Sequence, residues 1–293
     1  MEDGERCDTR LVGWPGNGTR MVSFHVLTHH PSGTHESHAH PNSEESLICL
    51  RGRGQVDLGT GWVDVEAGNA IFVPSGHGHA TRNAPGSEDD FVVLSYNCPP
   101  PMELYQEVGL FNAGVLEQGA IDKALLLSAE DQLPAECVMQ KNDLGGDEGG
   151  ELKGREAVSQ SGGVFNLFRG APFTKYGAEM KFILWPGVGT KMVGQHIAFH
   201  EPGMAFAPHV HPISEDAILV VDGTGQAYLE SRWIDVGPGD IIYAPAGIRH
   251  GTACRPNEPD LFICSGCASP PQFDLYQLAG YLKDGRFGEF DYV

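Results

Sequence analysis

The sequence predicts an all-β protein built from two similar domains, each an antiparallel sandwich or barrel. Its 293 residues are enough for about two domains, and 39 Gly and 20 Pro favour many turns. A single pattern also recurs without a gap at a spacing of 171 residues. The recurrence pairs Trp14, His38, Trp62, Pro74 and Leu104–Gln106 with Trp185, His209, Trp233, Pro245 and Leu275–Gln277.

Short runs of β-favouring residues, separated by Gly-rich turns, predict the strands of both copies. In the first copy they are residues 20–30, 46–50, 55–58, 71–73 and 91–95, and in the second they are residues 191–200, 217–221, 226–229, 241–244 and 261–264. Several short strands at close spacing are typical of an antiparallel sandwich or barrel. A short helix is expected after each copy, at residues 101–109 and 272–282.

The predicted domains are residues 1–112 and 161–293, with a connector at 113–160. Residues 114–134 are expected to be helical or extended. From residue 142 to 163 the composition shifts to Gly, Glu, Asp and Ser, which predicts a mobile linker or loop.

Charge and composition exclude several kinds of partner. A net charge of −20 argues against binding to nucleic acid or to an anionic membrane surface. No apolar run is long enough to span a bilayer, and the acidic segment 1–8 lacks the features of a signal peptide. The seven Cys are scattered, which suggests a reducing compartment. We therefore expect a soluble, cytoplasmic protein with a small-molecule substrate.

Two clusters of imidazole and carboxylate side chains stand at corresponding places in the two copies. They are His38, His40, Glu45 and His79 in the first copy, and His209, His211, Asp216 and His250 in the second. Residues two apart in a strand face the same side, so each His-x-His pair can present two nitrogens to one point. Three nitrogens and one carboxylate suit a divalent transition metal, with Fe or Mn favoured and Ni, Zn, Co or Cu also allowed.

The spacing of these residues resembles the two motifs of the cupins, and their duplication resembles the bicupins. The first motif is met by Gly33, His38, His40, Glu45 and Gly52, and again by Gly203, His209, His211, Asp216 and Gly223. The second motif is met by Gly68, Pro74, Gly76, His79 and Asn83, and again by Gly239, Pro245, Gly247 and His250, with Cys254 in place of Asn. The resemblance implies two tandem jelly-roll-like barrels of the double-stranded β-helix type, with short helical connectors and a metal inside.

The second copy departs from the motif at one ligand. Asp216 stands where the first copy has Glu45, and its side chain is one methylene shorter. We therefore expect the first centre to bind metal more tightly than the second.

Several side chains beside the ligands are candidates for catalytic roles. His35 and His77 flank the ligands of the first copy only, and both are candidate proton carriers. Arg82 is a candidate anchor for a substrate carboxylate. Histidines also stand 171 residues after His25 and His29. We expect His25 and His29 on the barrel exterior or at a subunit contact. The alternative is a place beside the metal.

The function expected from this set is that of a metal-dependent enzyme acting on a small oxygenated organic molecule, most simply an O₂-dependent, dioxygenase-like oxidoreductase. The alternatives are a redox-neutral isomerase, lyase or aminohydrolase, in which the metal is a Lewis acid, and a non-catalytic metal or metabolite binder. Bicupins include enzymes of several classes, so the fold does not fix the reaction. Both a monomeric bicupin and a homodimer are allowed.

Overall fold

The computed structural model describes residues 6–107, 125–127, 155–174, 177–229 and 231–293. The chain divides into two compact units, and among the described residues 6–107 and 155–166 belong to the first while 125–127 and 167–293 belong to the second. The predicted segment 114–134 lies outside the described residues except for 125–127.

The first unit consists of two antiparallel sheets. Its strands are β1 Cys7–Gly13, β2 Ser23–His29, β3 Thr34–His38, β4 Glu44–Arg51, β5 Arg53–Asp57, β6 Trp62–Glu66, β7 Asn69–Val73, β8 His79–Asn83 and β9 Phe91–Cys98, followed by helix α1 Met102–Glu107. β3, β8, β5 and β6 form a four-stranded sheet in that order. The other strands form the larger sheet, in the order β1-β2-β9-β4-β7.

The core of the first unit joins the two sheets. Leu47, Ile71 and Val93 of the larger sheet share one apolar cluster with Val56 and Val65 of the smaller sheet, and all five side chains are almost fully buried. Burial of apolar surface on this scale is the main source of stability for a β-barrel. The predicted barrel architecture is therefore confirmed in the first unit.

Three short elements lie between residues 120 and 170. They are β10 Leu125–Leu127, helix α2 Arg155–Ser161 and β11 Gly163–Asn166. β11 extends the larger sheet of the first unit by pairing antiparallel with β7. The mobile linker predicted for residues 142–163 is therefore wrong from residue 155 onward, where Val158 is buried and the backbone is regular. The rest of that prediction lies outside the described residues.

The second unit repeats this design. Its strands are β12 Ala171–Phe173, β13 Glu179–Leu184, β14 Gly194–His200, β15 Ala205–His209, β16 Glu215–Asp222, β17 Gly225–Leu229, β18 Arg232–Val236, β19 Ile241–Ala244, β20 His250–Ala253 and β21 Phe262–Ser269, followed by helix α3 Phe273–Ala279 and the hairpin strands β22 Leu282–Lys283 and β23 Arg286–Phe287. A seven-stranded sheet has the order β10-β19-β16-β21-β14-β13-β12, and a four-stranded sheet has the order β15-β20-β17-β18.

An aromatic cluster fills one part of the second unit. Trp185 is fully buried and its ring contacts those of Tyr276, Tyr281, Phe287 and Phe290, with centroids 4.7 to 5.5 Å apart. Trp185, one of the duplicated Trp residues, thus packs within the core of the second unit. No helix in the described part of the chain is long and apolar enough to span a membrane.

Candidate metal centres

The four ligands predicted in the first unit converge. His38 ends β3, His40 follows in the next loop, Glu45 lies on β4 and His79 begins β8. One ligand atom from each lies within 4.8 Å of the other three. Glu45 Oε2 is 2.8 Å from His79 Nε2 and 3.8 Å from His40 Nε2. Strands of both sheets thus supply one cluster in the barrel interior.

Each imidazole of this cluster is oriented through its other ring nitrogen. The Nδ1 atoms of His38 and His79 lie 2.9 Å and 3.4 Å from the carbonyl oxygens of Glu36 and His77. The Nδ1 atom of His40 lies 3.3 Å from Glu103 Oε1 on α1. These acceptors favour the tautomer that leaves Nε2 free, which is the arrangement that metal-binding histidines require.

The carboxylate of Glu45 is also held from outside the cluster. Ser95 on β9 donates a hydrogen bond from Oγ to Glu45 Oε1. The other oxygen, Oε2, is buried and accepts no hydrogen bond of good geometry from the described residues. A buried carboxylate oxygen without a donor is costly, so its position beside the imidazole nitrogens fits a bound cation.

The electrostatics of the cluster keep Glu45 ionised. Burial raises the pKa of its carboxyl, but the neighbouring His79 and His40 imidazoles outweigh burial and hold that pKa well below its usual range. Burial lowers the pKa of His38. Burial also acts to lower the pKa of His79, yet the Glu45 carboxylate outweighs it and the net shift is upward. Ionised carboxylate and neutral imidazole are the forms that bind metals.

A cavity of about 180 Å³ lies beside the first cluster. The ligands His38 and His40 reach it, and so do two imidazoles that are not ligands, His25 and His35. Burial lowers the pKa of His25 to about 4 and that of His35 to about 3, so both rings are neutral at pH 7.

The exterior or subunit-contact position expected for His25 and His29 is wrong. His25 is 5% exposed and lines the cavity, while His29 is fully buried and lies 2.9 Å from Thr81 Oγ1 through its Nε2. Nearly every residue of β2 is buried, on both faces of the strand. The alternation of the sequence therefore could not show which face carries the histidines.

The other two candidate catalytic residues lie away from this cavity. His77 directs Nε2 to the carbonyl oxygen of Leu58, at 2.9 Å. The guanidinium of Arg82 lies over the Trp62 ring at 4.0 Å and donates to Gln55 Oε1 at 2.8 Å. Of the three, the structure brings only His35 to the cavity.

The second cluster is less complete. His209, His211 and His250 lie within ligand distance of one another, but Asp216 is not part of that group. Asp216 Oδ2 is 3.7 Å from His250 Nε2 and accepts a hydrogen bond from Gln272 Nε2 at 3.0 Å. The shorter side chain thus stays back from the histidines, in line with the expected weakness of this centre.

The second cluster has the same outer contacts but a drier pocket. The Nδ1 atoms of His209 and His250 lie 2.9 Å and 3.0 Å from backbone carbonyl oxygens, and His211 Nδ1 lies 3.7 Å from Asp274 on α3. The adjoining cavity is only about 30 Å³, close to the room that one water needs. Its apolar lining comprises Met180, Ala198, Phe206, Ile218, Cys264 and Leu275.

Both donor sets fit a divalent transition metal. In the first unit three imidazoles converge on a carboxylate oxygen whose nearest polar neighbours are imidazole nitrogens. In the second unit His250 Nε2 and Asp216 Oδ1 are buried and lack hydrogen-bond partners among the described residues. The fold and the ligands therefore define a duplicated β-barrel protein with a candidate metal centre in each barrel.

Comparison with known families agrees with this class. A family model described as the cupin domain matches residues 25–96 and 197–265. The chain therefore belongs to the cupin superfamily and, because it carries two such domains, is a bicupin. No curated protein matches the chain in sequence.

Solved structures resemble the chain over most of its length. Protein Ylba from E. coli is 14% identical, with a TM-score of 0.59, over 92% of this chain and 85% of that protein. A variant of oxalate decarboxylase from Bacillus subtilis is 15% identical, with a TM-score of 0.52, over 87% of this chain and 70% of that protein. A cupin 2 conserved barrel domain protein from Leptotrichia buccalis is 11% identical, with a TM-score of 0.51, over 92% of both chains. At these identities the likeness shows the fold.

Sequence reasoning missed the residues that orient the ligands. Glu103 and Asp274 lie at corresponding places, just before the duplicated Leu-Tyr-Gln, and that repeated acidic position is a signal that could have found them. No repeated residue points to Ser95, because the corresponding residue of the second copy is Gly266. Its role follows only from the antiparallel pairing of β4 with β9, which sets Glu45 opposite Asn97 and near Ser95.

Proposed function

We propose that this bicupin is a metal-dependent enzyme that acts on a small oxygenated organic molecule at the first centre, as an O₂-dependent oxidoreductase. One observation carries the proposal: His38 and His40 of the complete four-ligand set line a cavity of about 180 Å³, whereas the ligands of the incomplete set line one of about 30 Å³. Because water occupies about 30 Å³ in the liquid, the larger cavity suits a molecule of several heavy atoms.

His38, His40, Glu45 and His79 would hold the metal in this proposal. When bound, Fe or Mn would supply a redox-active centre with open coordination positions for a substrate or dioxygen. Support for Mn comes from the similar oxalate decarboxylase of Bacillus subtilis, which has Mn(II) centres. Support for one active centre per chain comes from the set-back carboxylate of Asp216.

The residues of the chain would position and shield the reacting molecule. Ser95 and Glu103 fix the orientation of two ligands, which preorganises the centre. His35 lies against His38, with ring centroids 4.4 Å apart, and faces the cavity. As a buried neutral imidazole it can donate or accept a hydrogen bond with a bound molecule.

A redox-neutral reaction is the second candidate. It is favoured by the likeness in fold to oxalate decarboxylase, an enzyme named for the loss of CO₂ from its substrate. In that case the metal would act as a Lewis acid. Both candidates use the same centre, and they differ in whether dioxygen is consumed.

Metal analysis followed by oxygen measurement tests the proposal. Purified protein should contain Fe or Mn, and the reconstituted protein should consume O₂ with members of a panel of small hydroxy acids, oxo acids and phenols. His38→Ala should abolish the uptake, and the matched second-unit variant His209→Ala should retain it. Turnover without O₂ uptake would establish the redox-neutral candidate instead. Protein that binds neither metal would overturn both candidates.

A further inference from the structure

His25 is a buried imidazole that faces the first cavity without a partner. It lies on β2, opposite Ser95 on β9, and is 5% exposed. Among the described residues its side chain makes no hydrogen bond and no ion pair. Its ring lines the cavity, so a ligand that occupied the cavity could form a hydrogen bond with an imidazole nitrogen that no protein group uses.

His196, the corresponding histidine of the second unit, also lines the cavity of its unit, but its other neighbours differ. His196 lies opposite Gly266, and a Cβ added to that glycine would be 2.5 Å from the His196 ring and 3.0 Å from Asp216 Oδ1. The His196 ring therefore packs against the backbone of Gly266, next to Asp216. Ser95 has a side chain at that place, and its hydroxyl donates to Glu45. His25 therefore lies next to a hydroxyl that holds a ligand carboxylate, and it lines the cavity beside His38 and His40.

The wall next to His25 carries a second imidazole that is not a ligand, which the second unit lacks. His35 lines the cavity, and its counterpart Phe206 lines the second one. Two imidazoles that are not ligands thus face the space beside His38 and His40, which suits a ligand with hydrogen-bonding atoms rather than a hydrocarbon.

We propose that His25 is a substrate-contacting residue of the first centre. It makes one hydrogen bond to a polar oxygen or nitrogen atom of the molecule that occupies the open metal position. This inference rests on the proposed function, because it places the ligand on the metal held by His38 and His40. It adds a substrate class: small molecules with a second polar atom close to the atom that binds the metal.

Azide binding to the cobalt-loaded protein tests the contact without knowledge of the substrate. Azide binds an open metal position and presents a second nitrogen to the cavity wall, and the visible Co(II) spectrum reports its binding. One hydrogen bond contributes about 1 kcal/mol, so His25→Ala should weaken azide binding about 5-fold. His25→Phe keeps the ring volume without the nitrogens and should weaken it as much. His25→Gln keeps an N–H donor and should restore most of the affinity.

The control is His196→Ala, which removes the corresponding ring of the second unit and should leave azide affinity at the first centre unchanged. Cobalt is counted per chain in every variant. If folded, fully loaded His25→Phe binds azide as tightly as the unaltered protein, the inference is overturned and the proposed function stands. If the unaltered protein binds no cobalt, the proposed function is overturned and the inference falls with it.

Discussion

Replacing Ser95 by Ala should weaken metal binding at the first centre. The Ser95 hydroxyl donates to Glu45 Oε1, and both side chains are buried. The substitution removes this donor and leaves an ionised carboxylate oxygen without a partner, so Glu45 loses the contact that fixes its orientation.

The magnitude follows from the kind of hydrogen bond that is lost. A hydrogen bond to a charged group contributes about 1.5 to 3 kcal/mol. Since about 1.4 kcal/mol corresponds to a tenfold change in an equilibrium constant, this alone predicts a loss of at least about tenfold in metal affinity. Loss of an outer contact to a metal ligand commonly lowers affinity about 10- to 100-fold. We expect Ser95→Ala to fall in that range.

Competition with a chelator of known affinity measures the effect at constant pH. Ser95→Thr keeps the hydroxyl and should recover most of the affinity, which separates the hydrogen bond from simple packing. Ser265→Ala is the matched control: Ser265 is also a buried serine, but its hydroxyl donates to the carbonyl oxygen of His196 in the second unit. Equal metal affinity in Ser95→Ala and the unaltered protein would refute the role assigned to this hydroxyl.

Three further outcomes follow from the structure. His38→Ala should remove more bound metal per chain than His209→Ala, and equal losses in elemental analysis would contradict the ranking of the centres. The protonated His30 ring donates hydrogen bonds to Asp8, 3.1 Å away, and to Asp90, 3.0 Å away, and these raise the pKa of His30. Asp90→Asn should therefore lower that pKa in an NMR titration. Because that pKa is raised on folding, His30→Gln should cost stability below about pH 6.5 and little above the raised pKa; a loss that grows with pH in chemical denaturation would contradict this.

The strands and the ligands could be predicted from the sequence because both follow local rules. The duplicated runs of β-favouring residues set the strands, and the spacing of His38, His40, Glu45 and His79 alone was enough to predict a cluster that the structure brings within 4.8 Å. The difference between Glu45 and Asp216 also predicted which copy is less complete.

The wall of the cavity could not be predicted, because it depends on register. His35 and His38 are three residues apart and would face opposite sides of a regular strand. Between them the pairing of β3 with β8 shifts by one residue, since His35 lies opposite Thr81 and His38 opposite His79. This β-bulge turns both imidazoles inward, and no residue pattern in β3 indicates it. The positions of His77 and Arg82 depend on tertiary contacts in the same way.

The bulge in β3 also has a consequence for protein engineering. The second unit has the same shift between Phe206 and His209, so both barrels share a backbone that accepts an inward side chain at this position. A Phe206→His exchange would therefore present a fourth imidazole to the second centre without any change in strand length. Conversely, deleting one residue between His35 and His38 would restore regular pairing and turn His35 out to solvent. The length of one strand, as much as its chemistry, decides how many imidazoles a barrel of this kind can offer to a bound molecule.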